Sequence, residues 1–251
     1  MAINTSTALR NQLIYSVYVR NHGPNGTFKN IENDLDRIKS LGTDIIWLMP
    51  IHPIGKVNKK GSLGCPYAIT DFKGINPEYG TLEDFISLIE LIHHKGMKVI
   101  IDVVYNHTAP DALYRNQHPD YYFKNENGDF GNRIADWSDI IDLDYDCKDL
   151  WQDQIEALCY WSELGVDGFR CDVASLVPVD FWMAARSAVN LSNPDTIWLA
   201  ETVHPHFIEH ARRHSVSAAS DSEIFQAFDI SYDYDTHTEF MAYLKGTATL
   251  E

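Results

Sequence analysis

The sequence predicts a parallel α/β fold: a (β/α)8 TIM barrel, incomplete at about six βα units, with a small domain inserted after the third strand. Three observations predict it. The segments 38–50 (IKSLGTDIIWLMP), 92–104 (IHHKGMKVIIDVV) and 161–173 (WSELGVDGFRCDV) share one plan: a helix end, a glycine, a short link and an apolar strand. Their strands are continuous apolar runs, which is how parallel strands covered on both faces read. Polar residues stand at the strand ends and no GxGxxG follows the first strand, which favours a barrel over a doubly wound sheet.

The elements follow in order. A first strand is predicted over 14–19. Phe28, Ile31, Leu35, Ile38 and Leu41 recur at helical spacing, and the strand IIWL follows. Leu82, Phe85, Ile86, Ile89 and Ile92 repeat that pattern, with Thr81 and Asp84 spaced as a capping box. Glycine after each helix is the usual stop, because it enters the left-handed region at little cost. From 108 to 148 no period holds; the stretch is rich in Asn, Asp, Gly and Tyr and is predicted to be an inserted domain. Helices are predicted over 151–164, 179–189, 205–213 and 234–244, and strands over 197–199 and near 228–231. The barrel portion is thus 1–107 with 149–251.

Composition narrows the partners. A net charge of −16 argues against nucleic acid and against an anionic membrane surface, and leaves a neutral substrate as the best fit. No apolar run reaches the ~18 residues of a membrane span. The N-terminus shows no secretory signal, which predicts a cytoplasmic protein. Cys65, Cys147, Cys159 and Cys171 lack CxxC spacing and are expected to be free thiols. Trp47, Trp161, Trp182 and Trp198 read as core. His93 and His94 lie near a helix C-terminus, and no function is assigned to them.

The strand ends carry the chemistry. The third barrel strand ends in Asp102, with Asn106 and His107 after it; the fourth carries Arg170 and Asp172, and the fifth ends in Glu201. In a barrel these converge on one mouth, and two carboxylates at one mouth are what glycoside hydrolysis requires. Arg170 lies two residues before Asp172, so both point to the same side of the strand. The guanidinium is expected to hold Asp172 ionised, below the usual carboxylate range, as a nucleophile must be. Glu201 follows the apolar run IWLA, and its site is expected to raise its pKa, as a general acid needs.

DVVYNHT (102–108), GFRCDVAS (168–175) and WLAETVH (198–204) resemble three conserved regions of the α-amylase family of glycoside hydrolases, glycoside hydrolase family 13, in order and in spacing. GCPYAITDFKGINPEYGT (64–81) resembles the segment after that family's second strand, and IDLDYD (141–146) is similar to a motif of its inserted domain B. The resemblance covers nearly the whole chain. It implies Asp172 as nucleophile and Glu201 as acid/base, with Arg170 as the charge partner of Asp172. It further implies His107 as a sugar-hydroxyl ligand, Tyr67 as a stacking platform and Asp102 as an organiser of the site. The implied reaction is retaining cleavage of α-glucosidic bonds in starch-, glycogen- or maltodextrin-like glucans, with no organic cofactor.

Three departures accompany the resemblance. The family's third carboxylate, after a His–Asp pair near the seventh strand, has no counterpart before Glu251. Leu176 stands where calcium-binding members place a histidine; Asn106 and Asp142 match calcium ligands, two oxygens where calcium takes about 6–8. Gly64 stands where exo-acting members of one branch have an aspartate, which favours an open cleft. Three alternatives stay open: a transglycosylase or trehalose-forming isomerase of the same family, a metal-dependent hydrolase using His52, Asp102, His107 and Glu201, and a catalytically silent glucan-binding fragment.

Overall fold

The computed structural model describes residue 2 and residues 5–133, 137–214 and 216–249. The first strand, β1 (Ile14–Val17), is followed by two short helices, α1 (Phe28–Glu32) and α2 (Leu35–Ser40), and by β2 (Ile45–Leu48). Next come α3 (Leu82–His94) and β3 (Lys98–Val103). The inserted stretch carries β4 (His107–Thr108), α4 (Leu113–Gln117) and β5 (Ile141–Asp142). Then follow α5 (Lys148–Glu163), β6 (Gly168–Cys171), α6 (Val179–Val189), β7 (Ile197–Ala200), α7 (Pro205–Arg213), α8 (Asp221–Ile224), β8 (Ile230–Ser231) and α9 (Tyr234–Leu244).

Six strands form one parallel sheet in the order β1-β2-β3-β6-β7-β8, so each βα unit adds a strand beside the last. β4 and β5 pair antiparallel in a separate small sheet, with His107 opposite Asp142. The architecture is an open portion of a (β/α)8 barrel. Gly42, Gly96 and Gly165 end the helices of the three repeated segments at φ +85°, +68° and +101°, conformations that favour glycine. Gly168 meets a different demand: a Cβ there would lie 2.3 Å from the Ile197 carbonyl of the neighbouring strand.

Residues alternate between the two faces of this sheet. Ile46, Leu48, Val99, Ile101, Phe169, Cys171, Trp198 and Ala200 join the large core under the helices. Ile45, Ile100, Ile197 and Leu199 form a second cluster on the inner face. The Thr81–Asp84 capping box is present, with Asp84 N–H donating to Thr81 Oγ1 at 3.2 Å and Thr81 N–H to Asp84 Oδ2 at 2.8 Å. Beneath the sheet Arg186 of α6 grips Asp229, just before β8, at 2.8 and 3.0 Å, and Asp229 also accepts the Trp198 N–H at 3.0 Å.

Local differences from the sequence pattern have physical causes. The helix expected through Leu41 breaks at Asn33 and Asp34, residue types that compete for backbone hydrogen bonds. Asp34 turns instead to Arg37 and to His22 at 3.0 Å, and Leu41 is left 52% exposed. The first strand ends at Val17, and residues Val19–Asn21 wind into a 3-10 turn. α8 was hidden because it is one turn long; Ser220 and Glu223 cap it reciprocally.

β1 and β8 each have one neighbour among the described residues. Unpaired strand edges template further pairing. In size-exclusion chromatography this 251-residue chain is therefore expected to elute as an associated species; a stable monomer would overturn that expectation.

Candidate active site

The inner face delivers the site by the two-residue period of a strand. Ile100 lies below Asp102 on β3, Arg170 of β6 lies below Asp172 just past that strand's end, and Leu199 of β7 lies below Glu201 just past its end. The β3–β6 register sets Asp102 directly beside Arg170. Each strand thus carries an apolar or cationic inner residue low in the barrel and a carboxylate nearer its C-terminal end.

Arg170 is the hub. Its Nη1 donates to Asp102 Oδ1 and Oδ2 at 2.8 and 3.0 Å and to Asp172 Oδ1 at 3.0 Å. Its Nη2 lies 2.8 Å from Glu201 Oε2. Its Nε donates to the Tyr232 hydroxyl at 3.2 Å. The guanidinium also sits against the rings of Trp47 (5.0 Å), Tyr232 (5.4 Å) and Tyr67 (5.8 Å). Asp102, wholly buried, further accepts from Trp47 Nε1 at 3.2 Å and from the Tyr67 hydroxyl at 3.3 Å.

One cation among three carboxylates leaves an excess of negative charge if all are ionised. Burial pushes Asp102 up to about 7, with Arg170 opposing and the charges of Asp172 and Glu201 adding to the rise. Burial raises Glu201 as expected, and the neighbouring Asp172 charge adds to it. Asp172 departs from expectation. Its carboxyl is raised, not lowered, because desolvation outweighs Arg170, whose charge is shared with Asp102 and Glu201. Asp172 and Glu201 are both held by the Arg170 guanidinium, through Nη1 at 3.0 Å and Nη2 at 2.8 Å.

The backbone contributes as well. Val173 takes φ 37°, ψ 45°, a left-handed conformation that is an outlier for a β-branched residue. The turn aims its N–H at Glu201 Oε2, 2.9 Å away. Strain of this kind persists where the surroundings over-determine it.

His107 is buried and its pKa is pushed down to about 4 by desolvation, so the ring is neutral at pH 7. Asn106 Nδ2 lies 3.2 Å from His107 Nδ1, and the His107 ring lies 5.9 Å from that of Trp137 between centroids. A pocket of about 230 Å³ opens alongside, with Asn106, Asp142 and Asp144 as polar walls and Trp137 and Phe207 as aromatic ones. That mixture suits a sugar, which is apolar on its ring faces and polar at its rim.

The donor set at Asn106 and Asp142 does not fit calcium. Asp142 Oδ2 accepts the Arg133 N–H at 2.7 Å. The Arg133 guanidinium reaches the Leu143 carbonyl at 2.7 Å and Asp144 Oδ1 at 3.2 Å. The Arg133 guanidinium thus sets a fixed cation on the oxygens of the residues that follow Asp142, and Leu176 offers no ligand. Incubation with a chelator is expected to leave the melting temperature unchanged; a drop reversed by calcium would refute this. The metal-hydrolase alternative fares no better: His52 Nδ1 pairs with the Gly74 carbonyl at 3.0 Å, and among the described residues no three His, Cys, Asp or Glu side chains group as metal ligands.

Two members of the site were not singled out from the sequence. Trp47, read as core, bonds Asp102. Tyr232 bonds Arg170. Their signal was the spacing: Tyr232 follows Ile230, and Trp47 follows Ile45, by the same two residues that separate Ile100 from Asp102.

The sequence model of the alpha-amylase catalytic domain matches residues 7–245. The chain is similar to the crystal structure of an alpha-amylase from Lactobacillus plantarum, with a TM-score of 0.94 and 54% identity, covering 97% of this chain and 58% of that one. A noncanonic maltogenic alpha-amylase from Thermotoga neapolitana gives a TM-score of 0.82 and 37% identity, covering 96% and 54%. Among curated proteins, the alpha-1,4-glucan:maltose-1-phosphate maltosyltransferase of Rhodospirillum rubrum is 35% identical over 196 residues, 70% of this chain and 28% of that protein. The chain thus spans roughly a third or less of such curated relatives and over half of the similar solved chains.

Proposed function

The chain belongs to the alpha-amylase family, and on that premise we propose that it cleaves α-glucosidic bonds of α-1,4-glucans with retention, through a glycosyl ester on Asp172. The observation that carries this reading is the pairing of the two carboxyls. One guanidinium holds Asp172 at 3.0 Å and Glu201 at 2.8 Å through its two terminal nitrogens, which keeps the two carboxyls side by side. An inverting pair stands about 6.5–9.5 Å apart to admit a water, whereas a retaining pair is close.

The residues divide the work. Asp172 attacks the anomeric carbon while Glu201 gives its proton to the leaving oxygen. Glu201, now ionised, takes a proton from the incoming water, which releases the sugar from Asp172. Arg170 keeps Asp172 anionic against its burial and withdraws charge from the departing carboxylate. Asp102 fixes Arg170. The Tyr67 ring, its hydroxyl committed to Asp102, offers a face for the sugar to stack on.

Transfer to a second sugar is the other reading, favoured by the maltosyltransferase among the relatives. It uses the same glycosyl ester and differs in the acceptor. Maltoheptaose followed by proton NMR tests both. The first product is expected to carry the α-anomeric configuration. Products longer than seven units would assign transfer. A β-configured first product, or no turnover of maltoheptaose, would refute the proposal.

A further inference from the structure

At the corner where the inserted stretch meets the barrel, the oxygens are gathered by an arginine. The Arg133 guanidinium donates from Nη1 to the Leu143 carbonyl at 2.7 Å and from Nη2 to Asp144 Oδ1 at 3.2 Å. The Arg133 backbone N–H donates to Asp142 Oδ2 at 2.7 Å. One residue thus binds three consecutive residues through a carboxylate, a carbonyl and a second carboxylate. These are the donor types that oxygen-seeking cations take. The Phe123 ring backs the guanidinium, its centroid 4.5 Å from Cζ. The charged walls of the pocket of about 230 Å³ are Arg133 with Asp142, Asp144 and Asp146.

That corner is continuous with His107. Asp142 stands opposite His107 in the β4–β5 pair. Leu143 donates its N–H to the Asn106 carbonyl at 2.9 Å, and the Asp142 carbonyl accepts the Phe123 N–H at 3.0 Å. Leu143 is therefore gripped at both ends of its peptide, by Asn106 at the N–H and by Arg133 at the carbonyl. β4 and β5 hold two residues each, and a pair this short is marginal on its own.

We propose that Arg133 is a built-in cation standing in for a metal ion at this corner, and that it is a positioning residue for His107, which it holds by fixing the strand opposite. The consequence for turnover rests on the glycosidase reading; the placement of the cation does not. A guanidinium offers a planar fork of donors and does not lose its proton, so the tie needs no ion from solution. The same charge accounts for the misfit of calcium, since a second cation beside Arg133 would be repelled.

Removing the guanidinium reverses that exclusion. In Arg133→Ala the Leu143 carbonyl and the Asp144 carboxylate lose their donor, and three aspartates stay in the pocket wall. Calcium tolerates irregular sets of oxygens and completes them with water, whereas magnesium demands a near-ideal octahedron and keeps its own waters. A chain without the guanidinium is therefore expected to acquire a calcium dependence that the unsubstituted chain lacks.

The test is thermal melting of the full chain and of Arg133→Ala, Arg133→Gln and Arg133→Lys. Each is melted with a chelator, with about 10 mM calcium, above the ~10⁻³ M dissociation constant of weak oxygen sites, and with equal magnesium. With chelator the two neutral variants are expected to melt roughly 5 °C lower than the unsubstituted chain. Calcium should restore at least half of that loss, magnesium should not, and the unsubstituted chain should respond to neither. Arg133→Lys keeps the charge without the fork, so it should fall less and ignore calcium. Arg133→Gln keeps most of the side-chain volume, so it decides the matter if Arg133→Ala fails to fold. On maltoheptaose the neutral variants should show KM raised several-fold with kcat nearly unchanged, and calcium should bring KM back. Equal rescue by magnesium, a loss that calcium does not mend, or an unchanged melting temperature in both neutral variants overturns the built-in cation. A KM that stays put while the melting temperature moves overturns the positioning of His107. Calcium rescue of melting in a chain that never turns over maltoheptaose refutes the glycosidase reading and leaves the cation's role standing.

Discussion

Asp172→Asn is expected to lower maltoheptaose turnover by at least about 10⁴-fold, the scale at which loss of a nucleophile is felt. An amide cannot form the glycosyl ester, yet its Oδ1 can still accept from Arg170, which now reaches Asp172 at 3.0 Å. The fold should therefore survive, with the melting temperature within a few degrees of wild type. Glu201→Gln separates the roles. Protonation by a general acid contributes about 10²–10⁴-fold, and it matters only where the leaving oxygen needs a proton. On maltoheptaose the loss should be of that order. On an α-glucosyl fluoride, whose leaving group departs unaided, formation of the ester should be nearly unaffected. Asp172→Asn must fail on both substrates. Equal recovery of the two variants on the fluoride, or more than about a hundredth of wild-type turnover in Asp172→Asn, would remove Asp172 from the mechanism.

The repeated helix–glycine–strand plan made the barrel legible because glycine stops and continuous apolar strands are local signals. Asp102, Arg170, Asp172 and Glu201 were legible for a related reason: a charge in an apolar run is anomalous wherever the run folds. Trp47 and Tyr232 were not, since an aromatic residue at a strand end reads as core until its polar tip has a partner. The Arg186–Asp229 pair was hidden by its span of 43 residues, which no periodicity encodes. The direction of the Asp172 shift was misjudged because the sequence shows one arginine beside one aspartate, whereas three strands bring three carboxylates to that arginine. Calcium binding at Asn106 and Asp142 was suggested by two residues, while Arg133, the side chain that opposes it, lies in the stretch without a period.

Arg170→Met should be the most destabilising single change at the site, and its cost should depend on pH. Burial alone pulls the guanidinium pKa down, but Asp102, Asp172 and Glu201 together raise it well above its usual value. Removing one partner of a buried ion pair costs about 3–5 kcal/mol. For a chain of this size each kcal/mol is worth about 2–4 °C, so a fall of roughly 10 °C in melting temperature is expected at pH 8. All three carboxyls already titrate above their unfolded values, so the folded state binds protons more tightly than the unfolded one. Their contribution to stability is present in full below about pH 4 and is lost as pH rises through the folded pKa, about 7 for Asp102. Without Arg170 those folded values climb further, which deepens the loss at pH 8. At pH 5, below the folded value of Asp102, that carboxyl is protonated and no longer needs the cation, so the deficit there should be smaller. Thermal melts of both proteins at the two pH values decide it. A deficit equal at pH 5 and pH 8 would mean that Arg170 stabilises the barrel by packing against Trp47, Tyr67 and Tyr232, not by charge.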